Sequence, residues 1–122
     1  MRQDTKKELI NIEELNQVCE SDNELISILM ETFLQESHET LANLRQAIIS
    51  KDFGNIRFYA HRLKGGATTI AAMALFESSL ELEKAADTLQ TESIEDIFSR
   101  VEKDLQELTN YLQEEWKTKA SH

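Results

Sequence analysis

The chain has no proline in its 122 residues, only three glycines and a single cysteine. Without the residues that make tight turns, turn-rich β architectures are excluded and long helices are favoured. A lone Cys19 excludes an intrachain disulfide and a cysteine-rich metal site. No apolar run is long enough to span a bilayer, and the polar stretch Met1 to Glu8 has no apolar signal core. The expectation is a soluble, cytoplasmic chain. Positive charge is also scarce, 13 Lys and Arg against 23 Asp and Glu, for a net charge of −10. That balance argues against nucleic acid, whose phosphates demand a basic surface, and against an anionic membrane. Phosphate-cradling glycine loops are missing as well, so ATP binding by the P-loop or kinase routes is excluded.

What is present is helical periodicity. Residues 1–10 look like a frayed or disordered lead-in. Asn11 followed by Glu14 forms a capping box for a short lead-in helix through Ile12, Leu15 and Cys19. Ser21 and Glu24 repeat that signal and open a helix of about 25 residues, roughly 38 Å long. Its inward stripe is Ile26, Leu29, Phe33, Leu41, Leu44 and Ile48. Lys51 to Asn55 is a turn in which Asp52 or Asn55 caps the next helix, predicted to run to about Ile70. A link at Ala71 to Ala74 leads to a helix with Leu75, Ser79, Leu82, Ala86 and Leu89 inward. Thr88 to Ser93 turns the chain again. The last helix has the clearest period: Ile94, Phe98, Val101, Leu105, Leu108, Leu112 and Glu115/Trp116. Residues 117–122 form a disordered tail. The fold expected is all-α: an antiparallel up-down four-helix bundle over residues 11–116, with a short N-terminal lead-in helix.

Charge and glycine converge at one place. Residues 51–70 hold Lys51, Arg57, Arg62 and Lys64 against Asp52 alone, a local +3 on a remainder of −13. Such an island suits an anionic ligand or partner. Within it lies Ala60-His61-Arg62-Leu63-Lys64-Gly65-Gly66-Ala67. At 100° per residue, Arg57, Lys64, Gly65 and Thr68 fall within about 60° of His61, while Ile56, Tyr59, Leu63, Ala67 and Ile70 fall on the far side. An exposed histidine in a basic patch can act as a nucleophile or proton carrier near neutral pH. Each glycine inside a helix costs about 0.8–1 kcal/mol relative to alanine. Gly65, one turn from His61, clears room for another molecule; Gly66, about 140° round, suits close helix packing. Lys64 can reach an anion attached to the ring. His38 has no such company and is expected to be a solvated surface residue.

These residues resemble the signature of the histidine-containing phosphotransfer (HPt) domain family, Ala-His-x-Leu-Lys-Gly followed by Ile70 and Leu75. Leu82-Glu83-Lys84-Ala85-Ala86 resembles the family's next helix, and the resemblance covers most of the chain. There are departures: Ala71 stands where the family has its second glycine, and Gly66 where serine is frequent. The resemblance implies a four-helix bundle and a phosphorelay intermediate, not an enzyme with its own kinase activity. His61 would accept a phosphoryl group from a receiver aspartate or a kinase and pass it to a response-regulator receiver. The implied partners are that receiver, which supplies Mg²⁺, and a sensor histidine kinase. The chain itself needs no cofactor or metal. Lys64, Arg57 and Arg62 would offset phosphate charge, and Gly65 and Thr68 would lie under the docked partner.

Glu83 is the candidate that orients the histidine. With the turn centred near residue 72, antiparallel register brings residue 83 opposite residue 61. Members of the chemotaxis-kinase type have a glutamate there. Glu83 would accept the Nδ1 proton and leave Nε2 to attack. Two other classes compete. A carboxylate-bridged metal bundle needs Glu-x-x-His pairs, but Gln35 precedes His38 and Phe58 precedes His61 at that spacing. A non-catalytic adaptor that docks a receiver or kinase domain would keep its function without His61. One apolar stripe per helix predicts a monomer; the edge at Leu25, Ile28 and Met30 is a docking patch or cover for the lead-in helix.

Overall fold

The computed structural model describes residues 23–70 and 72–116. Four helices follow one another: α1 Asn23–Ile49, α2 Phe53–Thr69, α3 Met73–Asp87 and α4 Thr91–Tyr111. One π-helical turn, Leu112–Trp116, continues α4. Short links make neighbours antiparallel, consecutive helices pack on one another, and α1 closes against α4. The lead-in helix with Cys19, the Ser21 cap, Ala71, the Trp116 side chain and the tail at 117–122 lie outside the described residues.

The inward stripes meet in one core. α1 contributes Ile26, Met30, Phe33 and Leu44, and α2 with its C-cap contributes Ile56, Leu63 and Ile70. From α3 come Leu75 and Leu82, and from α4 Ile94, Phe98, Val101, Leu105 and Leu108. Each such side chain contributes about 1.5–3 kcal/mol by leaving water. Met30 belongs to this core, while Leu25 and Ile28 are exposed. The apolar edge expected at these three residues is therefore narrower, because Met30 lies one turn from Ile26 on the buried stripe. The long gap in the α1 stripe, between Phe33 and Leu41, is bridged by Ser37 and Thr40, both buried.

Local chemistry explains the ends. Asp52 caps α2: its Oδ1 accepts from the Asn55 backbone N–H at 3.2 Å, and its Oδ2 from the Asn55 amide at 2.8 Å. The α1 C-terminus closes with Asp52 N–H donating to Ala47 O at 2.9 Å and Lys51 N–H to Ile48 O at 3.1 Å. That paired pattern puts the intervening residue in the left-handed region, and Lys51 has φ 55°. The α3 C-terminus repeats it. Gln90 N–H donates to Ala85 O at 2.9 Å, Leu89 N–H to Ala86 O at 3.3 Å, and Leu89 has φ 56°.

Two expectations fail at this second turn. Leu89 does not point inward; it is 63% exposed, because the helix ends at Asp87 and the left-handed step swings the side chain outward. α4 starts at Thr91, three residues before Ile94, so the turn is shorter than Thr88 to Ser93. Across the bundle, Arg45 of α1 pairs with Glu102 of α4 and lies 5.7 Å from the centre of the Phe98 ring. Arg100 pairs with Glu81 at 2.7 Å, a surface contact worth under about 1 kcal/mol.

A left-handed, exposed leucine is strained by about 1–2 kcal/mol, partly offset in a glycine variant by the entropy of its unfolded chain. Leu89→Gly is therefore expected to raise stability by about 0.5–1 kcal/mol, measured by chemical denaturation.

Candidate functional site

His61 stands at mid-length on α2, where Ala60, Leu63 and Ala67 turn the opposite face into the core. Its side chain is 66% exposed. α2 packs most extensively on α3, and the short link between them fixes their antiparallel register. That register brings Glu83 of α3 beside the ring: His61 Nδ1 lies 2.9 Å from Glu83 Oε2. The second carboxylate oxygen is also occupied, since Lys64 Nζ lies 2.8 Å from Oε1. Lys64 and Glu83 are largely covered, with side chains 21% and 17% exposed.

The protonation pattern follows from the carboxyl group. Burial pushes the Glu83 carboxyl upward, but the Lys64 ammonium on its other oxygen and the hydrogen bond from His61 outweigh it and hold the group below its ordinary 4.5. Glu83 is therefore an ionised acceptor at neutral pH. An ionised carboxylate can only accept, so Nδ1 carries the hydrogen and donates it. In that tautomer Nε2 is left with a free lone pair.

The other candidates surround this pair. Arg57 and Arg62 are exposed, and among the described residues no carboxylate lies within ion-pair distance of either. Lys64 is not free in this state; its ammonium is on Glu83. Thr68 is exposed, with its hydroxyl donating to Lys64 O at 3.0 Å. Gly65 is exposed, and a Cβ built there meets nothing within 4 Å. Gly66 differs: its Cβ would lie 3.2 Å from the Phe33 ring, so the missing side chain admits α1. A groove between α1 and α2 runs alongside, lined by Phe33, Ser37, Thr40, Arg62, Gly66 and Thr69 among others.

Two features escape sequence reasoning. The Lys64–Glu83 contact needs the register of two helices, which no single-helix projection supplies. Phe58 is 54% exposed. The same 100° rotation that groups the site puts it about 60° from His61, and that signal was available. His38 is exposed, yet its Nε2 lies 3.2 Å from Thr109 Oγ1. That hydroxyl donates to Leu105 O at 2.7 Å, so it accepts from the ring. Among the described residues no group of three His, Cys, Asp or Glu side chains is placed to hold a metal ion. No described helix is long and apolar enough to cross a membrane.

Comparison with known proteins decides the family. The family model described as the Hpt domain matches residues 28–115. The chain belongs to the Hpt family. Members of this family carry phosphoryl groups on histidine within phosphorelays and interact with the receivers and kinases of two-component systems. The Hpt architecture also appears in a solved relative, the crystal structure of histidine-containing phosphotransfer protein B from Pseudomonas aeruginosa PAO1. It aligns with a TM-score of 0.83 at 23% identity, over 90% of this chain and 96% of that one. At that identity the likeness shows the fold alone. No curated protein matches the chain.

The lowered Glu83 pKa has a thermodynamic consequence. A carboxyl whose folded pKa is depressed contributes stability that is present above its unfolded pKa, near 4.5, and is lost as pH falls through the lower folded value. Glu83→Gln is therefore expected to cost about 1 kcal/mol at pH 7, with the difference from the parent shrinking below pH 4.5. Urea unfolding at pH 7 and at pH 3 measures both.

Proposed function

We propose that this Hpt domain relays phosphoryl groups through Nε2 of His61, from a receiver aspartate or a kinase to the aspartate of a response-regulator receiver. The observation that carries this reading is a mid-helix imidazole, exposed to solvent, whose Nδ1 is held by an ionised carboxylate. The Nε2 lone pair forms the P–N bond as the aspartyl P–O bond breaks, and the electron pair leaves with the aspartate carboxylate. The Nδ1 proton remains hydrogen-bonded to Glu83, which offsets the positive charge on the phosphorylated ring. Return to a second receiver aspartate is the reverse displacement.

The division of labour suits phosphoryl transfer, in which positioning and charge stabilisation supply most of the catalysis. This chain contributes a fixed nucleophile; the receiver contributes Mg²⁺ and the anionic pocket. Arg57 and Arg62 supply unpaired positive charge at the rim. Lys64 holds Glu83 in the free state and offsets phosphate charge once the group is on the ring. Gly65 and Thr68 lie under the docked receiver; an added side chain at 65 would meet nothing of its own fold, so the space there serves another molecule. The protein acts as a cytoplasmic monomer and has no kinase activity of its own, since the sequence carries no nucleotide-phosphate loop.

The test is incubation with purified receivers charged by acetyl phosphate. The expected product is an acid-labile, base-stable label on the parent, absent from His61→Gln. Gly65→Gln should melt no lower than the parent, because glutamine is the better helix former, yet accept phosphate from a receiver at least tenfold more slowly. Label that persists in His61→Gln overturns the proposal. Normal transfer to Gly65→Gln removes Gly65 from the docking face.

A further inference from the structure

Six large apolar side chains are exposed among the described residues: Leu25, Ile28, Ile49, Phe58, Met73 and Leu89. Four of them, Leu25, Ile49, Met73 and Leu89, sit where a helix starts or ends or in a turn, where exposure needs no special reason, while Ile28 and Phe58 lie inside helices. Of these two, Phe58 is the one that shares its helix with His61. It lies inside α2, three residues before His61 and therefore one turn away on adjoining parts of the same surface. Its ring packs edge-on against Tyr59, with centroids 5.1 Å apart and planes at 75°. That contact steadies the ring at the surface while leaving it 54% exposed.

The surroundings are as informative as the exposure. Phe58 is flanked by Arg57 beside it and by Arg62 one turn on, the two guanidinium groups without a carboxylate partner among the described residues. On the α3 side of His61 stands the Glu83 carboxylate, with the Lys64 ammonium of α2 on its other oxygen. Elsewhere on α2 His61 is bordered by an aromatic ring and by two arginines that have no carboxylate partner among the described residues. Aromatic and arginine side chains with free surface are the groups that carry most of the binding energy at protein interfaces. A convex helix face offers no enclosing pocket, so the pocket must come from the partner. The +3 island on a body of −13 selects a partner whose contacting surface is anionic.

We propose that Phe58 is the apolar anchor of the docking face for the receiver. Its ring packs on the apolar rim of the receiver's phosphorylated pocket while Arg57 and Arg62 face the acidic groups of that pocket. This inference rests on the proposed transfer through His61 and adds to it a specificity-determining residue that does not touch the phosphoryl group. Phe58 acts on the encounter with a protein donor and not on the reactivity of the imidazole.

The experiment separates the two. His61 is labelled by phosphoramidate, a small donor that needs no docking face, and by the receiver that labels the parent fastest in a panel charged with acetyl phosphate. The quantity compared is the ratio of the receiver-driven to the phosphoramidate-driven rate. In Phe58→Ala this ratio is expected to fall at least tenfold, and in Phe58→Leu, which keeps an apolar side chain, to stay within about threefold of the parent. The position is at the surface and both replacements are good helix formers, so the thermal melt should hold. A ratio unchanged in Phe58→Ala overturns the inference, whether both rates hold or both fall together; a common fall would make Phe58 a support for α2. A parent labelled by neither donor, or by phosphoramidate alone, contradicts the phosphotransfer reading itself, and the inference with it.

Discussion

The interaction on which the site depends is the packing of α2 against α3. A one-residue slip between these helices would turn Glu83 by about 100° and carry its carboxylate away from the His61 ring. Burial of Leu63, Ala67 and Ile70 on one side, and of Leu75, Leu82 and Ala86 on the other, resists that slip. The core therefore sets which group stands beside a solvent-exposed imidazole. Lys64 adds a second constraint by occupying Oε1, so that Oε2 faces the imidazole. Both helices serve as rigid supports, which hold geometry better than a loop would.

Charge is distributed to the same end. The body of the domain is acidic, and the face that carries His61 is not. In the proposed transfer an anionic receiver pocket meets free cations and one aromatic ring, where the rest of the surface would repel it. The two neighbouring glycines illustrate how position divides one residue type between two tasks. Gly66 faces the Phe33 ring and admits α1 into contact; Gly65 faces open space one turn from His61. The helix accepts the propensity cost of both, about 1 kcal/mol each.

Much of this was legible in the sequence, because helical periodicity and the absence of proline leave few alternatives. The four helices and the burial of Leu63 and Ile70 follow from spacing alone, whereas spacing leaves the α2 cap open between Asp52 and Asn55, and Asp52 fills it. The basic island and the outward face of His61 follow from residue types and a 100° rotation. What escaped depends on backbone steps that the pattern does not encode. Leu89 fits an inward stripe by spacing, but a left-handed step ends the stripe before it. Met30 lies one turn from Ile26 on the buried stripe, while the same pattern also groups it with Leu25 and Ile28. Lys64 was placed toward phosphate, and its contact with Glu83 requires the neighbouring helix. The Hpt family pattern supplied the chemistry that periodicity could not: exposed histidines on helices are common, and only the surrounding residues mark this one.

The central claim is that Glu83 holds the Nδ1 proton of His61 and leaves Nε2 as the nucleophile. The direct test is long-range ¹H–¹⁵N NMR of the His61 ring at neutral pH, repeated after phosphorylation by phosphoramidate. The account predicts a protonated Nδ1 and a bare Nε2 in the free protein, and phosphorus coupling to Nε2 in the modified one. A ring with hydrogen on Nε2, or a phosphoryl group on Nδ1, would contradict it.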